Sequence, residues 1–180
     1  MTDFNRALEA EIPRLRRYAH ALTRDATAAD DLVQECVVRG VAKQHLWIEG
    51  TDLRAWLFTI MHNLFVNTVR RGVREGVAVS LLDTEPSLQR AANQDKSLEL
   101  RDLDRAMARL PEEQRSVILL VGLEGMSYEA VAEIVGVPVG TVRSRLSRGR
   151  EALRQLMGFE PTGAAALRRR GLKSDVCKAA

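Results

Sequence analysis

Between Ser127 and Arg150 two stretches of helical periodicity meet at Gly136-Val137-Pro138, and a chain punctuated in this way has few ways to fold. Ser127 is a good N-cap, because its hydroxyl accepts from the free amides of a first turn, and Glu129 and Glu133 suit that helix electrostatically. Gly136 tolerates the left-handed conformation of a helix exit, while Pro138 disfavours an α conformation in the residue before it. Two helices around a tight turn are the expected result. In the second, Val139, Val142, Leu146, Leu153 and Leu156 recur at three-four spacing and form one buried stripe. Arg143, Ser144, Ser147 and Arg148 fall off it. These are the donors a helix needs in a major groove, where Arg bridges guanine acceptors and Ser serves several edges. Arg145, Arg150 and Arg154 read as phosphate contacts or solvent-facing charge. The alternative is an ordinary surface helix with paired arginines; cap, turn and arginines in one frame favour a DNA-reading helix-turn-helix.

The rest of the chain reads as helical too. Of its 180 residues 46% are hydrophobic but only 4% aromatic, which favours packing through Leu, Val and Ala, and strand signals are nearly absent. The expectation is an all-α protein of two small helical domains joined by a flexible linker, the second ending in the helix-turn-helix. A formal charge of +3 is too modest for general polyanion attraction, so any DNA contact must come from local arginine clusters. Cys36 and Cys177 lie far apart with no CxxC or His pair to complete a zinc site, and His20, His45 and His62 are scattered singles. No disulfide, metal or cofactor is expected. Neither a signal-peptide pattern nor an apolar run of eighteen residues occurs, so a cytoplasmic location without membrane insertion is expected.

The first helical block spans residues 5–71. Leu8, Ile12, Leu15, Tyr18, Ala19 and Leu22 make one stripe; Thr27 to Asp30 begins a second helix whose Leu32, Val33, Cys36, Val37 and Val41 face inward. Gly50-Thr51-Asp52 is a turn with a ready N-cap. A long helix follows, with Leu53, Trp56, Leu57, Ile60, Leu64 and Val69 on its apolar side. Residues 72–97 lose the pattern and form the linker, within which the apolar run Val77 to Leu82 reads as a docking segment rather than a strand. The second block covers residues 98–157: Leu100, Leu103, Met107 and Leu110 define a helix closed by Pro111, and Glu112 to Leu123 another, with Val117, Leu120 and Val121 inward. A core of that size is expected to be marginal in isolation. Residues 158–180 form a basic tail that reads as disordered.

Two further constellations carry chemistry. Asp31, Gln34 and Glu35 share one helix side, with Leu32 adjacent, and taken alone they read as a solvated face. Trp56, Phe58, His62, Asn63, Phe65 and Asn67 bring aromatics and amides to a helix ending in Arg70-Arg71, which is how proteins stack, hydrogen-bond and neutralise unpaired nucleotides. Trp56 and Phe65 read equally well as core.

The segments Asp31-Leu32-Val33-Gln34-Glu35, Arg54-Ala55-Trp56-Leu57-Phe58-Thr59-Ile60, Leu110-Pro111-Glu112-Glu113-Gln114-Arg115 and Gly140-Thr141-Val142-Arg143-Ser144-Arg145-Leu146 together resemble the extracytoplasmic-function class of bacterial RNA polymerase sigma factors, over Leu8 to Met157. The wording around Arg54 and around Val121-Gly122-Leu123 is similar to the general-stress branch. The resemblance implies a dissociable polymerase subunit without catalytic residues. Asp31, Leu32, Gln34 and Glu35 would meet the clamp coiled coil of the largest polymerase subunit, with the flap region as a second polymerase contact. Asp52, Asn63, Asn67, Arg70 and Arg71 would serve the minus-10 element, where the turn Ile48 to Asp52 and the two asparagines capture a flipped base. Arg143, Ser144, Ser147 and Arg148 would read the minus-35 duplex, and Thr141 would hold a phosphate. An anti-sigma factor is an implied partner. The chain departs from the family at Cys36-Val37-Val38-Arg39-Gly40, where an aromatic is common and Gly40 weakens the helix, so the helix end is open. A free-standing helix-turn-helix regulator with a dimerising or sensing N-terminal block is the competing reading; it predicts a palindromic site bound without polymerase. An enzyme with a DNA-binding appendage finds no nucleophile-base pair or phosphate loop to support it.

Overall fold

A computed structural model describes residues 3–74 and 94–159, and among these every regular element is helical. Helices α1 (Asp3–Thr23), α2 (Ala26–Ala42) and α3 (Leu53–Arg74) form one unit. The chain leaves α1 through Arg24, at φ 61°, and Asp25 caps α2 by accepting from the Ala28 amide at 2.7 Å. A single 3-10 turn, Gln44–Leu46, precedes the turn at Gly50 (φ 88°), after which Asp52 caps α3 through the Ala55 amide at 3.1 Å. Leu8, Leu15, Tyr18 and Leu22 close on Val33 and Cys36 of α2 and on Leu57, Met61 and Leu64 of α3. Helix α2 continues through Gly40 to Ala42, and packing explains the glycine: a Cβ there would lie 3.1 Å from Leu57 Cδ2 and 3.3 Å from Leu8 Cδ1. A side chain there would require the Leu57 and Leu8 methyls to give way by a few tenths of an ångström.

The second unit holds α4 (Gln94–Ala108), α5 (Glu112–Ile118), α6 (Tyr128–Val135) and α7 (Val139–Leu156). The helix expected from Glu112 to Leu123 is in fact α5 followed by a π-turn at Leu119–Leu123, so the last turn is wider than the periodicity suggested. Met107, Leu110, Val117, Leu120, Val131, Ile134, Val142 and Leu146 form the core. Several inward assignments fail at the edges. Val41, Leu100, Leu103 and Leu156 are exposed, because each lies at an end of its stripe beyond the reach of a packing partner. Residues 72–74 and 94–97, expected in the linker, are helical, the former continuing α3 and the latter beginning α4. The Val77 to Leu82 segment and residues 160–180 of the tail lie outside the described residues.

The units do not stand apart. Helix α6 packs along α3, the π-turn packs against α1, and the apolar core is continuous across both. Phe58, against Tyr18 of α1 with ring centroids 5.1 Å apart, and His62 are buried rather than free for bases, and Phe65 is buried as the core reading had it. A helix covered on two sides has no aromatic face left to offer. Trp56 remains half-buried, edge-on to Phe4 with ring centroids 6.3 Å apart.

Candidate nucleic-acid interface

The helix-turn-helix forms as its residues dictate. Ser127 Oγ accepts from the Ala130 amide at 3.1 Å, Gly136 exits α6 at φ 66°, and α7 starts immediately after Pro138. Pro138 brings no side-chain cap, so the amide-rich, positive end of α7 is open to an anion beside Thr141. Along α7, Arg143, Ser147 and Arg148 are exposed together. The Arg143 guanidinium lies 5.8 Å over the Tyr128 ring, an attraction that holds it in a defined position. Ser144 turns back instead: its hydroxyl donates to the Thr141 carbonyl at 2.9 Å and the residue is half-buried. Arg145 is neither a solvent-facing charge nor free for phosphate, since it bonds Glu113 of α5 at 2.7 Å. Arg150 and Arg154 are exposed, the latter 3.6 Å from Glu151.

On α3, Asn63, Asn67 and Arg70 follow i, i+4, i+7 spacing and are exposed on one face, with Arg71 a turn beyond Asn67 and also exposed. Asp52 is not brought to them. It sits at the helix start about 16 Å from Asn63 at 1.5 Å per residue, its carboxylate engaged in the cap. The Asn63 face looks across a cleft of about 380 Å³ to Val135, Gly136 and Val137 of the turn and to Arg145 of α7. His62 also lines this cleft, with Nδ1 buried and unpartnered; burial, and secondarily Arg145, push its imidazole down to about 4. It is therefore neutral at physiological pH. On α2, Asp31, Gln34 and Glu35 are exposed as one patch, but Leu32 is buried in the helical core, which removes its side chain from any interface. Cys36 lies 3.5 Å from the Leu57 carbonyl, and burial raises its thiol to about 12. A thiol so protonated is inert.

One cluster escaped the sequence entirely. Glu124, just after the π-turn, has no exposed side-chain surface, and its Oε1 accepts from Arg17 Nε at 3.0 Å and Nη2 at 2.9 Å. Its Oε2 lies 3.3 Å from Arg54 Nη2, and Arg54 also donates to the Glu124 carbonyl. A second bridge joins Arg24 to Asp104 of α4 through bonds of 3.2 and 2.9 Å. The Glu124 partners lie 107 and 70 residues away, beyond any local pattern.

Residues 8–62 match the family described as the Sigma2 domain of PhyR, and residues 100–153 match Sigma-70, region 4. The chain is 39% identical over 153 residues to the ECF RNA polymerase sigma factor EcfG of Rhodopseudomonas palustris, covering 82% of this chain and 81% of that one. It belongs to the extracytoplasmic-function family of RNA polymerase sigma factors. The ECF sigma factor SigM of Mycobacterium tuberculosis is 31% identical over 150 residues, covering 83% of this chain and 74% of the other. Among solved structures, the sigma factor RpoE of Bartonella quintana, in complex with the anti-sigma factor NepR, superposes with TM-score 0.75 at 37% identity over 89% of this chain and 100% of that one. CnrH in complex with the cytosolic domain of CnrY gives 0.63 at 25% identity, over 86% and 87% of the two chains. The protein is thus a promoter-recognising sigma factor rather than a free-standing regulator, in a family of non-enzymatic initiation factors. No described helix is long and apolar enough to cross a membrane.

Proposed function

We propose that this sigma factor divides promoter recognition between its units, residues 5–71 serving the polymerase and the minus-10 element and residues 98–157 the minus-35 element. The observation that carries this is the separation of two exposed polar faces, Asn63, Asn67 and Arg70 on α3 and Arg143, Ser147 and Arg148 on α7, each on a rigid helix. Asn63 and Asn67 present amides to an unpaired base, and Arg70 and Arg71 neutralise the strand beside it. Arg143 and Arg148 are long enough to bridge guanine edges, Ser147 adds an adaptable donor, and Thr141 with the open end of α7 holds a backbone phosphate. Asp52 positions the start of α3 rather than touching DNA. Asp31, Gln34 and Glu35 form the polymerase contact, an acidic patch suited to a basic coiled coil. The chain works in the cytoplasm as a binding subunit, without catalytic residues, metal or cofactor. Solved relatives carry bound anti-sigma factors, NepR on RpoE and CnrY on CnrH, which supports a partner of that kind here.

The test is a binding comparison on genomic fragments. The chain should select fragments only with core polymerase present, and these should carry two separated, non-palindromic elements. Selection of a palindrome by the chain alone would overturn the reading.

A further inference from the structure

We propose that Tyr128 is a positioning residue for promoter recognition: its ring directs the Arg143 guanidinium to a base edge of the minus-35 duplex instead of the phosphate backbone, and so sets the base preference at that position. The inference rests on the placement of Arg143 in the major groove. The two side chains come from different helices of the motif. Tyr128 is the first residue of α6, directly after the Ser127 cap, and its half-buried ring packs against the core that joins α6 to α7. Arg143 is exposed on α7, its guanidinium carbon 5.8 Å from the centroid of that ring. Packing fixes the ring, and the ring fixes the arginine.

The kind of partner decides what the arginine can still do. Arg145 and Arg154 of the same helix are held by carboxylates, Glu113 at 2.7 Å and Glu151 at 3.6 Å, which occupy N–H donors and offset the charge. A ring face orients a guanidinium without doing either. It carries no formal charge and offers no lone pair, so the fork stays able to bridge guanine O6 and N7. Among the described residues, Arg143 is the one arginine of α7 set over a ring. A long side chain without such support reaches phosphate as readily as a base, and phosphate contacts carry no sequence information. It also gives up rotamer freedom on binding, a loss already incurred by a side chain that is oriented beforehand. An attraction of this kind at an exposed site corresponds to about two- to fivefold in an equilibrium.

The experiment uses the full chain with core polymerase, bound to a promoter library randomised over the minus-35 element, and reads base preference position by position. Arg143→Ala should relax the preference at the position that Arg143 reads. Tyr128→Leu should lower the preference at that same position by about two- to fivefold, while Tyr128→Phe, which keeps the ring, should match the parent. On the Arg143→Ala background, Tyr128→Leu should add nothing there, because the ring acts only through the arginine. If Tyr128→Leu does not fold, phenylalanine carrying one, two or three ring fluorines at position 128 keeps the shape while weakening the negative ring face stepwise, and the preference should fall in that order. An unchanged preference in Tyr128→Leu or across the fluorinated series overturns the positioning role. So does an equal loss in Tyr128→Phe, or a further loss on the Arg143→Ala background. An Arg143→Ala chain that keeps every parental preference shows instead that the groove reading of Arg143 has failed.

Discussion

Gly149 is where the recognition helix comes closest to its support. A Cβ built there would stand 2.6 Å from Ile118 Cδ1, 3.2 Å from Gln114 Cβ and 3.4 Å from Ile118 Cγ1, whereas one at Gly140 in the same helix meets nothing within 4 Å. Gly→Ala inside a helix ordinarily gains up to about 1 kcal/mol from the unfolded state and propensity. At Gly149 that gain opposes an overpacking cost of about 1 to 3 kcal/mol. The Ile118 methyl can rotate away, but Gln114 Cβ is fixed to the α5 backbone, so α7 must shift. The net expectation is a loss of about 1 kcal/mol for Gly149→Ala, which lowers Tm by about 2 to 4 °C in a chain of this size. Gly140→Ala should leave stability unchanged or raise it slightly. Adding Ile118→Val to Gly149→Ala should recover part of the loss, since it deletes the nearest methyl. The assay is chemical denaturation of all four chains. If Gly149→Ala proves as stabilising as an open helical site allows, the close α5–α7 approach is wrong, and so is the placement of the reading face that depends on it.

Asn63→Ala should impair initiation from a duplex promoter more than from a template already mismatched at the minus-10 region; equal losses would make Asn63 structural. Arg148→Ala should cost about 1 to 3 kcal/mol at the preferred minus-35 sequence and relax base preference there, whereas Arg150→Ala should weaken all sequences alike and flatten the salt dependence. Identical selected sequences for both variants would remove Arg148 from the readers. His62 is held well below its unfolded value near 6.5, so the unfolded chain binds a proton that the folded chain refuses; stability present above that value is lost as pH falls towards 4, by up to about 3 kcal/mol. Glu112, whose carboxyl burial pushes up, works in the opposite sense over acid pH, so the comparison is with His62→Gln, whose denaturation midpoint should fall less steeply between pH 6.5 and 4.

Local chemistry was legible in the sequence and long-range pairing was not. Ser127, Gly136 and Pro138 act on their own neighbours, and the helix-turn-helix they specify is present with its cap and left-handed exit. The apolar stripes of α1 and α3 likewise follow from spacing alone. Phe58 and His62, grouped by sequence with the strand-binding residues, are buried instead, Phe58 against Tyr18 of α1 and His62 in the cleft shared with the second unit, while Phe65 takes the core place that the sequence also allowed. Leu32 sits between acids in sequence yet points into the core, since a helix turns 100° per residue and adjacent positions face differently. Glu124 follows Val121-Gly122-Leu123 with no acid or base at helical spacing to announce a partner. Nor does the five-residue π-turn leave a mark in apolar periodicity.

The most direct measurement adds the purified chain to core polymerase on a library of templates randomised upstream of the start site, and sequences the templates transcribed. The account predicts transcripts that depend on the chain and two enriched elements at fixed separation, with Arg148→Ala altering only the upstream one and Asn63→Ala lowering output without changing it. Transcription that is indifferent to the chain, or a single element insensitive to Arg148→Ala, would contradict it.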